Sequence, residues 1–309
     1  MFIGYPCLNW SMNERPNRTF RLASYSDERF RETVAMNLRA TEAILRWNLA
    51  EGFGYFRISS DLIPFASHPV CAVDWAAEFA DDLARLGAYI RQHNMRIAMH
   101  PDQFTLINAK DPEIVARSVK ELAWHACFLD AMGLDATARL QIHVGGVYGD
   151  HAASRERFVR EFEKLPPAIA HRLTVENDDR HYSLEDCLWI SDRTGIPVLF
   201  DVFHHSLHGD GRPVSDCLKQ AARTWSKKAG RLLVDYSSQQ PEKRPGTHAD
   251  TLDDSDFSQF LAASKGTDFD VMLEIKDKET SARRALALAQ SDPRLRKPCG
   301  KTERCKPSR

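Results

Sequence analysis

Two observations predict an α/β fold in which eight parallel strands close into a (β/α)8 barrel, the TIM-barrel architecture. Short apolar runs alternate with longer segments of helical hydrophobic spacing along nearly the whole chain, and this alternation is typical of βαβ units. Eight such units in 309 residues suit a closed barrel. A doubly wound open sheet is the alternative, but no GxGxxG turn follows the first strand, so the barrel is favoured.

The strands are predicted from short apolar runs, and the helices from apolar residues at helical spacing together with end signals. The first helix carries Phe30, Val34 and Leu38 on one face, and Gly52 beyond it is a stop signal. The predicted strands are Phe2–Tyr5, Tyr55–Ile58, Arg96–His100, Arg139–Val144, Leu173–Glu176, Pro197–Asp201, Leu232–Tyr236 and Asp270–Ile275. The predicted helices are Asp27–Glu51, Asp74–His93, Pro112–Met132, Ala152–Ala170, Leu184–Arg193, Val214–Lys228, Ser255–Ser264 and Glu279–Gln290.

A single domain is predicted over residues 1–291, because no shift in composition divides the chain before that point. Residues 292–309 are basic, rich in turn-forming residues and without apolar periodicity, which predicts a disordered tail.

The composition narrows the classes of partner. No apolar run approaches the roughly 20 residues that a bilayer-spanning helix needs, so no membrane partner is expected. The first residues lack a basic leader followed by a long apolar stretch, which favours a cytoplasmic protein. A net charge of −1 lacks the overall basicity of many nucleic-acid-binding proteins, but a basic face beside an acidic pocket would give the same balance.

Residues that bind divalent metals stand at the carboxyl ends of several predicted strands, in the runs RIAMH, LQIHV, LTVE, PVLFDVFH and VMLE. Packing alone does not explain a charged or imidazole side chain at the end of a buried strand. The carboxyl ends of all barrel strands open onto one rim, so these side chains are expected to converge there. The candidate ligands are His68, His100, His143, Glu176, Asp201, His204, Asp235, His248 and Glu274.

Nitrogen and oxygen ligands without cysteine thiolates suit Zn²⁺, Mn²⁺ or Fe²⁺ in a reactive site better than a structural zinc cage. The set exceeds what one ion can use, so two or three ions are predicted, an arrangement that typically clamps the two oxygens of a phosphodiester under attack. Each residue alone could instead be a hydrogen-bonded core residue or an ion-pair partner. A purely structural origin for the whole set would require many separate burials of polar groups, each costing about 1–3 kcal/mol if unpaired.

Seven motifs occur in order along the chain: GYPC at 4–7, NRT at 17–19, RISSDLIPFASHP at 57–69, MHPDQF at 99–104, ENDDR at 176–180, DVFHH at 201–205 and KRPGTHAD at 243–250. Together they resemble the UV damage endonuclease family. The resemblance implies a TIM barrel like that of endonuclease IV, with a cluster of divalent ions at its rim. These ions are often manganese, with zinc, magnesium or cobalt as alternatives. It also implies nicking of duplex DNA immediately 5′ of ultraviolet photoproducts.

The resemblance assigns metal binding to the candidate ligands and catalysis to five of them: Glu176, Glu274, His100, His143 and Asp201. At Asp235 some members of the family have histidine, although an aspartate would still be a competent ligand for an oxygen-preferring ion. At Leu233 some members have lysine, so any role of a lysine there is absent or performed differently.

The resemblance also implies residues that contact the damaged DNA. Gln103 and Phe104, just beyond His100, are expected to replace flipped-out bases in the helix, although Phe104 is alternatively a loop residue packed on the barrel. Tyr5 and Asn9 are expected near the flipped lesion. Basic residues near the rim are expected to hold phosphates: Lys243 and Arg244, with Arg57, Arg180, Lys276 and Lys278 as further candidates.

The expected function is metal-assisted hydrolysis of damaged double-stranded DNA by a monomer that uses no nucleotide cofactor and lies on the nucleoid. Pyrimidine dimers are the expected lesions, with 6-4 photoproducts and abasic sites as further candidates. One alternative is a metal-dependent sugar isomerase of TIM-barrel type, which isomerisation of free sugars would reveal. The other is a damage sensor that binds DNA without cutting it.

Overall fold

Eight parallel strands close into a barrel in the computed structural model, which describes residues 1–299: each strand pairs with the next in sequence, and the last pairs with the first. The predicted (β/α)8 fold is confirmed. The strands are β1 Ile3–Pro6, β2 Tyr55–Ile58, β3 Arg96–Met99, β4 Arg139–His143, β5 Leu173–Glu176, β6 Val198–Asp201, β7 Leu232–Tyr236 and β8 Phe269–Leu273.

Helices cover the outside of the barrel and bury an extensive apolar layer against the strands. They are α1 Asp27–Glu51, α2 Trp75–Glu78, α3 Ala80–Gln92, α4 Pro112–Ala131, α5 His151–Glu163, α6 Pro167–Ala170, α7 Leu184–Thr194, α8 Val202–His208, α9 Val214–Arg223, α10 Asp254–Ala263 and α11 Glu279–Leu288. Among the described residues, no helix is both long and apolar enough to cross a bilayer.

Four helices differ from the prediction by more than two residues or were not predicted. The helix predicted over Val214–Lys228 ends at Arg223, and the other three differ for local reasons. The helix predicted over Asp74–His93 is two helices, because Phe79 departs from helical geometry with φ −103° and ψ 20°. The helix predicted over Ala152–Ala170 stops at Glu163, before a pair of prolines that cannot donate backbone hydrogen bonds. The short helix α8 was not predicted, because its sequence follows β6 without an intervening turn signal.

The inside of the barrel is filled in layers. Side chains two residues apart on a strand share a face, so Leu233 lies on the same inner face as Asp235. Leu233 belongs to an apolar layer formed by Phe2, Tyr55, Ala98, Leu199, Leu233 and Met272. This layer separates the polar residues at the carboxyl ends of the strands from the amino end of the barrel, and it gives Leu233 a packing role.

Residues 292–299, which were predicted to begin the tail, contact the amino end of the barrel. Arg294 donates hydrogen bonds to the carbonyls of Ser264 at 2.6 Å and Thr267 at 3.1 Å. The backbone N–H of Arg296 donates to the carbonyl of Met1 at 2.8 Å. Contacts from one side chain to backbone carbonyls carry no periodic signal, so the sequence pattern could not reveal them. Residues 300–309 of the predicted tail lie outside the described residues.

Gly87, inside α3, contacts the end of α4 so closely that a side chain does not fit. A Cβ atom built on Gly87 would lie 1.7 Å from the carbonyl oxygen of Met132. Helix propensity alone predicts that alanine would stabilise this position by about 1 kcal/mol, whereas overpacking costs roughly 1–3 kcal/mol. We expect Gly87→Ala to lower the free energy of unfolding measured by denaturant titration. In the same helix the exposed control Ala84→Gly should cost only about 0.5–1 kcal/mol. A gain in stability for Gly87→Ala would contradict this packing.

Candidate metal centre

The register of the barrel strands places the candidate ligands side by side. His143 pairs with Glu176 across β4 and β5, and Asp201 pairs with Asp235 across β6 and β7. Paired residues of parallel strands project to the same side at the same height, so their side chains meet at the carboxyl-end rim. The strand-end residues separated widely in sequence therefore come together in the structure.

Seven residues form three overlapping groups, and within each group one potential ligand atom per residue lies within 4.8 Å of the others. The first is His100, His143 and Glu176; the second is Glu176, Asp201 and His204; the third is Asp201, Asp235 and Glu274. Glu176 and Asp201 each belong to two groups, so the groups form one continuous cluster. We call these seven residues the rim cluster.

Two imidazoles face Glu176, and a hydrogen bond to the backbone orients one of them, His100. His100 Nδ1 lies 2.8 Å from the carbonyl oxygen of Pro101, and its Nε2 lies 3.6 Å from Glu176 Oε2. His143 Nε2 lies 3.8 Å from the same oxygen. A backbone carbonyl that fixes one ring nitrogen and leaves the other directed at a carboxylate is the usual support of a metal-binding histidine.

The other side of Glu176 faces His204. His204 Nδ1 lies 3.3 Å from Glu176 Oε1 and 3.5 Å from Asp201 Oδ2. Asp201 also caps α8, because its Oδ1 accepts a hydrogen bond from the backbone N–H of His204 at 2.7 Å. The short helix thus holds His204 one turn above the end of β6.

His248 lies at the edge of the rim cluster. Its Nδ1 is 2.9 Å from the carbonyl oxygen of Glu274 and 3.9 Å from the carboxylate oxygen Oε2 of the same residue. The ring of His248 also meets that of His204 edge to face, with centroids 6.2 Å apart.

His68 is not part of the three groups. It lies exposed on the loop between β2 and α2, and its Nδ1 accepts a hydrogen bond from the backbone N–H of Val70 at 3.0 Å. The sequence counted His68 among the ligands, but strand register does not fix the position of this long loop, and the structure does not bring His68 into the three groups.

Three buried atoms in the rim cluster have no hydrogen-bond partner among the described residues: His143 Nδ1, Asp201 Oδ2 and Asp235 Oδ1. Leaving a buried polar atom unpaired costs about 1–3 kcal/mol, and more for a charged group. Unpaired carboxylate oxygens beside imidazole nitrogens are the donor set that a divalent cation completes. The residues present therefore fit divalent metal ions.

The protonation states reflect strong coupling within the cluster. Burial opposes ionisation of Glu176, but the imidazoles of His143 and His204 outweigh it and lower its pKa to about 2. Burial also opposes the charge on His204, but Asp201 and Glu176 raise its pKa to about 11. Burial raises the pKa of Asp201 itself to about 7 and lowers that of His100 to about 4. Neutral imidazole is the form that coordinates a metal, and His100 is already held in it.

Arg57 and Gln141 complete the layer beneath the rim cluster, and the sequence did not predict this role for either. Arg57 Nη1 donates to Asp235 Oδ2 at 2.9 Å and to Gln141 Oε1 at 3.0 Å, and its Nη2 pairs with Glu274. Gln141 Nε2 donates to Glu176 Oε2 at 2.7 Å and to Asp235 Oδ2 at 2.6 Å. Arg57 is buried here, so it does not contact phosphate at the surface as its sequence neighbourhood suggested.

A signal for these two residues was present in the strand pattern. Gln141 stands two residues before His143, and Arg57 stands two residues after Tyr55, so each shares the inner face of its strand. A polar residue on that face has to find partners inside the barrel.

The two residues predicted to probe the DNA are exposed. Phe104 has 73% of its surface accessible, and Gln103 lies beside it on the loop after β3. Phe104 lines a cavity of about 690 Å³ together with His68, Arg117 and Lys120. An aromatic ring this exposed is not packed on the barrel, and such residues often mark a contact surface.

Tyr5 and Asn9, in contrast, are buried and do not present a surface to DNA in this structure. The Tyr5 hydroxyl accepts a hydrogen bond from Asn9 Nδ2 at 2.8 Å, and its ring packs edge to face against Phe53 and Phe56. Their expected place beside the lesion rested on the family resemblance alone. A motif match locates a residue in the sequence but does not show whether its side chain is accessible.

Trp10 is the exposed aromatic residue of the loop that follows β1. The sequence did not predict a role for it. Half of its surface is accessible. Its backbone N–H donates to Glu279 Oε2 at 2.9 Å and its indole N–H to the carbonyl of Lys276 at 3.1 Å, which joins the loop after β1 to the loop after β8. A tryptophan in a polar loop was the only signal for it.

Lys243 and Arg244 lie exposed on a loop beside His248. Gln239 and His248 form an antiparallel bridge that closes this loop, and Gln239 Nε2 donates to the carbonyls of Arg244 at 3.0 Å and Lys243 at 3.3 Å. The bridge holds the backbone of the loop that carries these two cations next to His248 in the chain.

The sequence profile of the UV-endonuclease UvdE family matches residues 1–300. The chain belongs to this family. A UV DNA damage endonuclease of Clostridium perfringens is 36% identical over 284 residues, which cover 91% of this chain and 69% of that protein. The crystal structure of SacUVDE superposes with a TM-score of 0.91 at 41% identity, covering 96% of this chain and 100% of that one.

A D-psicose 3-epimerase from Clostridium cellulolyticum H10 superposes with a TM-score of 0.54 over 94% of this chain and 97% of that one. At 14% identity it shares the fold alone.

The family resemblance seen in the sequence motifs is confirmed by the profile and by the close relatives.

The contacts of the rim cluster predict which histidines hold metal. We expect His143→Ala to weaken Mn²⁺ binding by at least the roughly 10–100-fold that loss of a supporting partner costs. His68→Ala should weaken it less, because His68 lies exposed on a loop and outside the three groups. His171→Ala, exposed before β5 at the opposite end of the barrel, should leave binding unchanged. Titration of metal-stripped protein, with free Mn²⁺ followed by electron paramagnetic resonance, would measure all three. Equal affinities for the wild type and His143→Ala would remove His143 from the ligand set.

Proposed function

We propose that this protein is a metal-dependent DNA-repair endonuclease that nicks duplex DNA immediately 5′ of ultraviolet photoproducts. Pyrimidine dimers are the first substrate, with 6-4 photoproducts and abasic sites as further ones. The observation that carries the proposal is the rim cluster of histidines and carboxylates, which lies between the exposed Phe104 and a basic loop in a chain of the UvdE family.

The ligand set supports cleavage of a phosphodiester. Divalent ions held by the rim cluster, manganese foremost and zinc, magnesium or cobalt as alternatives, would lower the pKa of water and neutralise charge on the phosphate. Glu176 is central, since one of its carboxylate oxygens faces His100 and His143 while the other faces His204. Glu274 and Asp201 supply further carboxylate oxygens, and His68, on the loop after β2, would have to move to join the set.

The overall reaction adds one water across the bond between phosphorus and the 3′ oxygen. That oxygen leaves with a proton as a 3′-hydroxyl, and the lesion stays on the strand that carries the new 5′-phosphate. The residues of this chain hold the scissile phosphate against the rim cluster, and they exclude bulk water on the barrel side because the apolar layer containing Leu233 lies directly beneath.

Lesion selection is supported by the exposed aromatic residue. A photodimer stacks and pairs poorly, so flipping it costs less than flipping intact bases. Phe104 and Gln103 project beyond His100, where an inserted ring and amide would fill the gap that flipped bases leave. Tyr5 and Asn9 act by supporting the loop after β1 from within, because both are buried.

Neither alternative function has an observation of its own. The epimerase likeness extends to the fold alone and gives no support to sugar chemistry. A sensor that binds without cutting would have no use for a cluster whose unpaired carboxylate oxygens suit metal ions.

A duplex with one defined thymine dimer tests the proposed activity. In Mn²⁺ the full chain should nick the damaged strand immediately 5′ of the dimer and leave the undamaged duplex intact. Glu176→Gln should still bind the damaged duplex but nick it at least about 100-fold more slowly, the order typical of losing one charge-stabilising group. Denaturing gels of end-labelled strands give the position and rate of cleavage. Binding without nicking in manganese, zinc, magnesium and cobalt would refute the endonuclease and favour the sensor.

The exposed ring of Phe104 makes a separate prediction about selectivity. Stacking on a base contributes about 1–3 kcal/mol, so Phe104→Ala should weaken binding to the dimer duplex by roughly 10–100-fold and binding to undamaged duplex far less. The matched control is Lys243→Ala combined with Arg244→Ala, which should weaken both duplexes equally and reduce the salt dependence of binding. Fluorescence anisotropy at several salt concentrations would measure these effects. An equal loss on both duplexes for Phe104→Ala would assign the ring a general role in DNA contact.

A further inference from the structure

The loop between β1 and α1 carries a motif that the proposed reaction does not use. This loop spans residues 7–26, and NRT at 17–19 lies near its middle. Arginines occupy every third position along part of it, at Arg15, Arg18 and Arg21, and Glu14 is its one acidic residue. The loop is therefore positively charged although the whole chain has a net charge of −1. We call residues 7–26 the β1 loop.

We propose that the β1 loop is a further DNA-contact surface, on which Arg18 and Arg21 bind phosphates of the duplex that flanks the lesion. The inference rests on the proposed function, because that function makes DNA the substrate. It goes beyond that function by assigning a partner to a surface outside the rim cluster and outside the loop of Phe104. Because the contact is with phosphates, it is the same on damaged and undamaged DNA.

The arginines of the β1 loop make no ion pair with a carboxylate of residues 1–299. Arg15 Nη1 donates to the backbone carbonyls of Asn9 at 3.1 Å and Met12 at 2.6 Å. Arg18 Nη1 donates to the carbonyl of Arg15. Arg21 is exposed, and its side chain has no partner within the described part of the chain. A carbonyl orients a guanidinium but does not cancel its charge, and each guanidinium has five N–H donors, so donors remain for a phosphate.

Arginines on the neighbouring helices are neutralised instead. Arg31 on α1 lies 2.5 Å from a carboxylate oxygen of Glu78, and Arg283 on α11 lies 2.8 Å from one of Glu51. Such a pair offers no net charge to a partner, whereas the β1 loop presents unpaired guanidinium groups close together in sequence. A local cluster of like charge attracts a polymer of opposite charge even when the whole protein is nearly neutral.

Buried polar side chains hold the β1 loop in place. Glu279, fully buried at the start of α11, accepts hydrogen bonds from the backbone N–H groups of Trp10 at 2.9 Å and Ser11 at 2.7 Å. Asn37, buried on α1, accepts from the backbone N–H of Arg18 at 3.0 Å and donates to its carbonyl at 2.9 Å. A loop anchored in this way loses little conformational freedom when it binds a partner.

The β1 loop lies between the two other surfaces that the proposed function places against DNA. It follows the carboxyl end of β1, and β1 pairs with β8 on one side and with β2 on the other. The loop of Lys243 and Arg244 follows β7, and the loop of Phe104 follows β3. The three loops therefore succeed one another along one side of the rim, where a duplex lying across the rim cluster would meet them all.

The β1 loop also exposes large apolar side chains among its cations. Trp10 and Leu22 are both exposed, and the guanidinium of Arg15 lies 5.1 Å from the centre of the Trp10 ring. Surfaces that follow a nucleic-acid backbone combine arginines with aromatic rings in this way. Charge and side-chain type thus favour DNA as the partner of the β1 loop.

The experiment measures binding of the full chain, in Mn²⁺, to an undamaged duplex at several salt concentrations by fluorescence anisotropy. Arg21→Gln should weaken binding by roughly tenfold near 0.1 M salt and lower the slope of log affinity against log salt by about 0.9, the value for one phosphate contact. Arg18→Gln combined with Arg21→Gln should lower the slope by about 1.8. The matched control is Arg160→Gln, an exposed arginine near the end of α5 at the amino end of the barrel, and it should bind as the wild type does.

The KM for nicking a dimer duplex should rise in Arg21→Gln by a similar factor. An unchanged affinity and salt slope in a folded Arg21→Gln protein would overturn the inference, and so would an equal loss in Arg160→Gln. A loss confined to the dimer duplex would also overturn it, because phosphate contacts do not distinguish the two duplexes. If the double variant does not fold, Arg21→Gln alone decides, since that side chain supports no other residue. The expected losses in a protein that never nicks would leave this inference standing and refute the proposed function.

Discussion

The carboxyl end of the barrel depends on one constraint: the negative charges of its buried carboxylates need positively charged or hydrogen-bonding partners. Glu176, Asp201 and Asp235 are almost fully buried, and isolated charges in such a place are too unfavourable to persist without a partner. The imidazoles of the rim cluster and the guanidinium of Arg57 supply that partner. The layer of hydrogen bonds from Gln141, the cap of α8 by Asp201 and the apolar floor below all follow from the need to hold these groups at fixed positions.

Much of the fold was readable from the sequence because a closed parallel barrel buries each strand on both faces. Each strand is then a short apolar run that contrasts with amphipathic helices, and three of the eight strands have the predicted bounds. The failures share a cause, since they depend on backbone geometry or on contacts distant in sequence. The break at Phe79, the start of α8 directly after Asp201 and the contacts of Arg294 leave no mark on hydrophobic periodicity.

The candidate site was predictable as far as strand ends define it. His143 and Glu176 stand at the ends of neighbouring strands, so the barrel alone brings them together. Arg57 escaped this reasoning because it lies inside a strand, where its role depends on which residues other strands place at the same height. Tyr5 shows a different error: the resemblance located it by sequence position at the carboxyl end of β1, but exposure depends on the aromatic residues packed around it.

The fixed cation of Arg57 and the metal ions of the proposed function would serve different ends in the same cluster. Arg57 is part of the chain, so in the folded barrel it neutralises Asp235 and Glu274 whether or not a metal is bound. The histidine-containing groups open toward the rim, where His100 and His143 are partly accessible and DNA can approach. An ion that must contact a phosphate belongs at the accessible groups, whereas charge that only holds the barrel end together is better supplied by a side chain that cannot dissociate. Arg57 beneath the rim cluster therefore stabilises the buried carboxylates, and the histidines at the rim are left for the proposed chemistry.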